Sequence, residues 1–434
     1  MQVRHSFSFF AVAAAVALAA AVPAMAQTPA AGTLPTVGTP TGGAVTQVFV
    51  SGGTRSLFKI ALPPILGASD VASSVGETES RDFTLSSLFQ VLDPQSFTAN
   101  LAAEGTGIDP ASWRNVGAEG VVKGSAMTRP SGVHLELRLY VVSRGADAVL
   151  KREYDVAAGS GVRTAVHQFD NEVVKWFTGT AASFGSRLVF SATTGRGQKG
   201  IFSIGSDGQD VGRLTAVSNV ALAPAVGPGG IFYAAGLADG SYSLFKVGNP
   251  APVYQRAGGL VFGVAFSGSK MALVISQGGQ SDIWVGNADG SGLAKVTSGG
   301  LNTHPAFGPG GQLAYVSNVG GNPQIYVDGK RVSWRGTYNM APAWCNDPEG
   351  TKILFMGRDG ATWDIFSVDP SGAAASMKRL TQDQGSNTYP TCSPDGRSVA
   401  FFSTRGGLYL SNVAGMNQQK ISGVTGESLR WEGQ

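Results

Sequence analysis

Four histidines and two cysteines are the whole stock of soft ligands in 434 residues. His5 lies in the first ten residues, while His134, His167 and His304 stand far apart. Cys345 and Cys392 share no short spacing with them, so no Cys/His zinc framework is formed. A serine hydrolase needs a G-x-S-x-G elbow with a histidine and oxyanion donors to match; the pattern is absent. Gly195-Arg196-Gly197 and Gly320-Gly321-Asn322 are glycine-rich, but neither opens a helix pattern nor leads into Gly-Lys-Ser/Thr, as a phosphate loop would. Asp207-Gly208 and Asp289-Gly290 read as hairpin turns, since calcium would need several oxygen ligands from one loop. The residues predict no enzyme activity, no metal and no cofactor.

The chemistry that remains is that of contact. Asn302, Asn339 and Asn387 each stand three residues before a proline, at Pro305, Pro342 and Pro390, and Asn219 resembles them. Near them lie Thr303, His304, Arg335, Tyr338 and Tyr389. Tyrosine and arginine are types that anchor interfaces. Asparagine has a second reading, as a turn former that bonds local backbone. His304 has no second ligand beside it, which leaves a contact role or a solvated loop position.

These residues sit in a repeat. One phrase reads Pro224-Ala225-Val226-Gly227, Pro305-Ala306-Phe307-Gly308, Pro342-Ala343-Trp344-Cys345 and Pro390-Thr391-Cys392-Ser393, with worn copies at Val264-Ala265-Phe266 and Leu429-Arg430-Trp431. A second runs from Leu188-Val189-Phe190 to Val399-Ala400-Phe401, a third from Ile201-Phe202 to Leu408-Tyr409, and a fourth ends in Leu214-Thr215, Val296-Thr297 or Leu380-Thr381. The period is about 40 residues, that of a four-stranded propeller blade. Phrases occurring six times predict six blades. The array opens at Arg187 on the second phrase and closes with an orphan first phrase at Leu429-Arg430-Trp431, so the C-terminal strand should complete the first blade and leave no open seam. The asparagines then fall on loops rimming one mouth of the axial channel. Cys345 and Cys392 fall one position apart in neighbouring blades. Alternation turns both thiols toward each other or both away, as a disulfide or as small core residues.

Before the repeat the pattern mixes helix and strand. Leu57 to Leu62 and Val133 to Leu139 read as strands, and Asp70 to Leu92 as a helix. Val162, Val166, Phe169, Val173 and Trp176 share a helix face, and Asp109-Pro110 starts a short helix. Arg4 and His5, an uncharged run from Phe7 to Val22 and Ala24-Met25-Ala26 form a secretory leader. Its apolar run is short for a membrane span, and no cysteine follows it to take a lipid. The expected organisation is a leader at 1–26, a flexible Pro/Gly/Thr-rich stretch at 27–45, an α/β domain at 46–182 and a six-bladed propeller at 183–434. Charged residues are only 14% and the formal net charge is +3, too weak a bias for nucleic acid.

The P-x-W-S-P-D-G type of turn, followed by I-Y and L-T phrases, resembles the TolB family. So do the leading α/β domain and the junction Phe177-Thr178-Gly179-Thr180-Ala181-Ala182-Ser183-Phe184-Gly185-Ser186-Arg187. Some turns lack the aspartate (Gly227-Pro228-Gly229, Gly308-Pro309-Gly310), and the fourth blade lacks its Leu-Thr. The resemblance implies a periplasmic adaptor of the Tol–Pal system. Such a protein is monomeric and peripheral to the outer membrane through its partners. It supports envelope integrity and invagination at division. The resemblance also implies that the propeller binds the peptidoglycan-associated lipoprotein, and that an N-terminal strand, matched here by Thr46, Gln47, Val48, Phe49 and Val50, pairs with the periplasmic domain of TolA. Two other readings stay open. The channel could hold a small or saccharide ligand, or the chain could be a peptidase propeller without its hydrolase domain.

Overall fold

The computed structural model describes residues 57–67, 69–216 and 220–433. The expected leader, the Pro/Gly/Thr-rich stretch, Thr46–Val50 and Asn219 lie outside them. In chain order the first elements are β1 (Phe58–Ala61), β2 (Leu66–Gly67), α1 (Ser69–Leu85), β3 (Phe89–Val91), α2 (Leu101–Glu104), α3 (Pro110–Asn115), β4 (Gly120–Arg129), β5 (Gly132–Val141), β6 (Leu150–Val156) and α4 (Ser160–Thr178). The sheet order is β3-β1-β4-β5-β6, parallel from β3 to β4 and antiparallel beyond, with β2 also on β4.

Strict alternation in β5 buries Val133, Leu135, Leu137 and Leu139 against α1 and α4, where Val75, Phe83, Val166, Phe169 and Val173 meet them. Trp113 of α3 closes the other face. Asp109 caps α3, its carboxylate accepting from the backbone N–H groups of Ala111 and Ser112 ahead of Pro110's first turn. The helix expected from Asp70 to Leu92 stops at Leu85. The Ser86 hydroxyl donates to the Phe83 carbonyl at 2.6 Å, Ser87 turns to φ 57°, and Phe89–Val91 leaves to pair with β1.

Six sheets follow in a ring. The first is the C-terminal strand Glu427–Trp431, then β7 (Arg187–Gly195), β8 (Gln198–Gly205) and β9 (Gly212–Arg213). The chain end therefore completes the first blade, as the phrase order requires. Trp431 is 3% exposed there, and its indole N–H donates to the Ser186 hydroxyl at 2.7 Å. The inner strands of the other blades are Ala221–Gly227, Leu260–Ser267, Asn302–Phe307, Tyr338–Asp347 and Asn387–Cys392. The second blade has three strands, and a single bridge, Leu244 to Tyr254, stands in for the fourth.

Each phrase of the repeat has a physical reason. The third residue of phrase two lies opposite the second residue of phrase three. That register stacks Phe190 on Phe202, Tyr233 on Phe245, Tyr315 on Tyr326, Phe355 on Phe366 and Phe401 on Tyr409, with centroids 5.6–6.0 Å apart. The Pro phrase marks a bulge. The inner strands slip register between Thr303 and Ala306, Met340 and Ala343, and Thr388 and Thr391. Proline suits the bulge because no ladder donor is needed there. The residue before it takes a left-handed φ, as at His304 (51°), Ala341 (51°) and Tyr389 (52°).

The Leu-Thr phrase ties the outer strand to its neighbour. Thr215, Thr297 and Thr381 accept from the backbone N–H of Ile201, Ile283 and Ile365 at 2.9–3.0 Å. In the fourth blade Ser333 does the same for Ile325. Cys345 and Cys392 are joined as a disulfide between the inner strands of the fifth and sixth blades, with Cα atoms 5.3 Å apart. Closing a loop of 47 residues stabilises by about 4 kcal/mol in the chain-entropy account.

Candidate functional site

Antiparallel hairpins sort the propeller's loops between two mouths. Connections from the first to the second strand, and from the third to the fourth, share one mouth. Connections from the second to the third, and from each outer strand to the next blade, share the other.

The α/β domain sits on the first mouth. The Arg81 guanidinium donates to the Asp207 carbonyl at 2.5 Å and to the Ile421 carbonyl at 3.2 Å. Arg397, in the turn of the sixth blade, donates to the Thr178 hydroxyl at 2.9 Å and to the Ala181 carbonyl at 3.2 Å. Asn417 donates to the Ser87 hydroxyl at 2.8 Å, and Arg163 pairs with Asp210.

The opposite mouth carries the residues singled out above, and the structure divides them. Arg335 has 62% of its side chain exposed, with Asp359 3.9 Å away. Tyr338 is 42% exposed, and beside these loops Leu301 (47%) and Val319 (57%) also face solvent. Sequence reading missed Leu301 and Val319, although each is an apolar residue flanked by turn formers. The asparagines do not face solvent. Asn302, Asn339 and Asn387 are at most 2% exposed, so the expected ring of polar contacts at the rim is corrected: their side chains are spent inside the fold. Asn302 donates to Asp282 at 2.9 Å and to the Gly299 carbonyl at 3.0 Å; Asn339 donates to Gln324 and to the Arg335 carbonyl, both at 2.7 Å. Asn387 donates to the Gly385 carbonyl at 3.3 Å. Each holds the loop before it, and the first two also clasp the preceding blade.

His304 and Tyr389 are half-buried. Both occupy bulges of their inner strands. Burial and then the charge of Arg430 push the His304 imidazole down to about 4, so it is neutral at pH 7. Burial pushes the Tyr389 hydroxyl up to about 12. Thr303 is half-buried and within 3.0 Å of His304 Nδ1.

Asp207 and Asp289 form turns. Each carboxylate accepts from the backbone N–H two residues on, at 2.9 Å. Among the described residues no group of three His, Cys, Asp or Glu side chains is arranged to hold a metal, and no helix is long and apolar enough to cross a membrane. A further cluster escaped the sequence reading. Glu79, Asp82 and Asp170 are at most 2% exposed between α1 and α4, with His167 Nδ1 2.6 Å from Asp82. Burial first, then Asp82, pushes Glu79 up to about 8, and burial raises Asp82 and Asp170 as well. Helical spacing alone would have placed Glu79 and Asp82 on one face.

A small α/β domain on one mouth of a six-bladed propeller, with an exposed Arg, Tyr and aliphatic set on the other, defines a two-domain propeller protein. Residues 174–428 match the TolB beta propeller domain, and residues 46–148 match the TolB amino-terminal domain. The chain belongs to the TolB family. It is similar to the Tol-Pal system protein TolB of Anaeromyxobacter dehalogenans (strain 2CP-C), 32% identical over 252 residues covering 55% of this chain and 57% of that protein. It is also similar to the protein TolB homolog of Chlorobium luteolum, 31% identical over 226 residues, 49% of this chain and 50% of that one. The chain thus spans about half the length of the curated relatives it matches. The crystal structure of TolB from Acinetobacter baumannii superposes with a TM-score of 0.69 at 21% identity, over 87% of this chain and 97% of that one, a likeness of fold.

Proposed function

We propose that this chain is a periplasmic adaptor of the Tol–Pal type, without enzyme activity. Its propeller binds the peptidoglycan-associated lipoprotein at the mouth opposite the α/β domain. Its N-terminal segment, Thr46 to Val50, engages the periplasmic domain of TolA. Joining the two supports outer-membrane integrity and inward movement at division. Support comes from the family and from the names of the relatives. The single observation that carries the choice of face is the exposure of Arg335 and Tyr338 beside Leu301 and Val319, on the mouth that the α/β domain leaves open. Arginine and tyrosine with an apolar surround make the usual energetic centre of a protein interface.

Titration of the purified lipoprotein into the full chain tests this. Arg335→Glu with Tyr338→Ala is expected to weaken binding at least tenfold while leaving the unfolding midpoint within about 2 °C, as for surface changes generally. Unchanged affinity would move the partner to another face.

A further inference from the structure

The mouth beneath the α/β domain also holds a cavity of about 310 Å³. That lies within the range of small-molecule sites, which are mostly apolar with a few placed polar groups. Phe266, Pro305, Phe307, Pro342 and Trp344 supply an apolar wall. Arg430 is the one charged side chain among its lining residues.

Arg430 breaks a pattern. The residue after the Pro position pairs in every blade with the second residue of phrase two: Ala225 with Phe232, Ala265 with Ala272, Ala306 with Ala314, Ala343 with Leu354, and Thr391 with Ala400. These are small and uncharged. Arg430, opposite Val189, is the one long cationic side chain in that ring.

Among the described residues its charge is not answered. The guanidinium donates to the Leu429 carbonyl of its own strand at 2.9 Å, and among the described residues it forms no ion pair. The titratable groups facing it do not help. His304 and Tyr389 are both held in their neutral forms. The Glu427 carboxylate is taken by Lys199 Nζ at 2.5 Å. An arginine stays charged even where burial disfavours it. Arg430 is half-buried; a cation drawn partly out of water without a counter-ion carries a cost, and an anion entering from solvent relieves it.

We propose that this cavity binds an organic monocarboxylate with an apolar body, the carboxylate on the Arg430 guanidinium and the hydrocarbon against Phe266, Phe307 and Trp344. The guanidinium fork matches a carboxylate in a bidentate pair. A polyanion would find one cation for several charges, a metal cation would be repelled, and an uncharged body would leave Arg430 unpaired. This site is separate from the partner face at the other mouth and does not depend on it.

Trp344 and Trp431 line the cavity and give a direct readout. Tryptophan fluorescence of the full chain is titrated with decanoate, methyl decanoate and acetate. Decanoate is expected to saturate at least tenfold more tightly than methyl decanoate, and acetate to bind more weakly still. In Arg430→Gln the preference for decanoate over its ester should vanish. Equal binding of acid and ester by the wild-type chain overturns the proposal, as does a preference that survives in Arg430→Gln. Should circular dichroism show that variant unfolded, the wild-type comparison of acid with ester decides alone.

Discussion

Asparagine in this chain is a structural residue that looks like a binding one. Asn339 is fully buried and supplies two donors, one to Gln324 and one to the Arg335 carbonyl. Asn339→Ala removes both hydrogen bonds, at about 0.5–1.5 kcal/mol each, while Gln324 keeps the Ser333 hydroxyl as a donor. The expected loss is about 2 kcal/mol or more in denaturant unfolding, and a change under 0.5 kcal/mol would show the clasp to be ornamental. The spacing of the asparagines was legible, but their direction was not. Asp282 and Gln324, which receive them, each stand just before phrase three (Asp282-Ile283-Trp284, Gln324-Ile325-Tyr326). The pairing becomes visible only when the blades are stacked.

The buried carboxyls make a second prediction at this scale. Glu79 is fully buried, and neither carboxylate oxygen finds a hydrogen-bond partner among the described residues. Asp82 and Asp170 lie in its surroundings, with His167 on Asp82. In the folded chain Glu79 keeps its proton up to about pH 8, against an ordinary 4.5. The folded state thus binds the extra proton, so the stability that Glu79 contributes is fullest below pH 4.5 and is lost as pH rises through 8. One such proton gives a slope of up to about 1.4 kcal/mol per pH unit. Asp82 and Asp170 are shifted the same way and steepen it. Glu79→Gln should flatten the fall between pH 5 and 8 and be the more stable protein at pH 8. An unchanged slope would place the titrating group elsewhere.

At the scale of elements, the repeat was read from the sequence because each phrase answers a local demand. Cross-strand aromatics stack, proline fits a bulge, and threonine accepts a backbone N–H. Such demands recur in every blade and leave the same letters. The stop of α1 at Leu85 was not legible, because Leu88 to Leu92, apolar apart from Gln90, suits helix and strand equally on period alone. What decides is tertiary, the open edge of β1 that Phe89–Val91 fills.

The closing strand is the element on which the ring depends. Trp431→Ala removes a side chain that is 3% exposed and its bond to Ser186, and should cost about 3–5 kcal/mol. Ending the chain at Gly426 should do more. It bares the edge of β7 to other chains, and aggregation on heating is expected in light scattering. A truncated protein that melts as a monomer at the same midpoint would contradict strand-exchange closure.

For the whole molecule, the two mouths of the propeller differ. One seats the α/β domain through Arg81, Arg397 and Asn417 and contains the Arg430 cavity. The other presents Leu301, Val319, Arg335 and Tyr338 to solvent. The sorting of loops between the two mouths follows from hairpin order and is legible in the repeat. Which mouth the α/β domain occupies is not, because its contacts are single bonds scattered over residues 81, 163, 397 and 417. No periodic pattern marks such residues.

Hydrogen exchange of the full chain with and without the peptidoglycan-associated lipoprotein tests the division most directly. Slowed exchange is expected at 299–302, 318–323 and 335–339, with 308–311 and 393–397 unchanged. Protection at 308–311 and 393–397, with the first three stretches unaltered, would contradict that division.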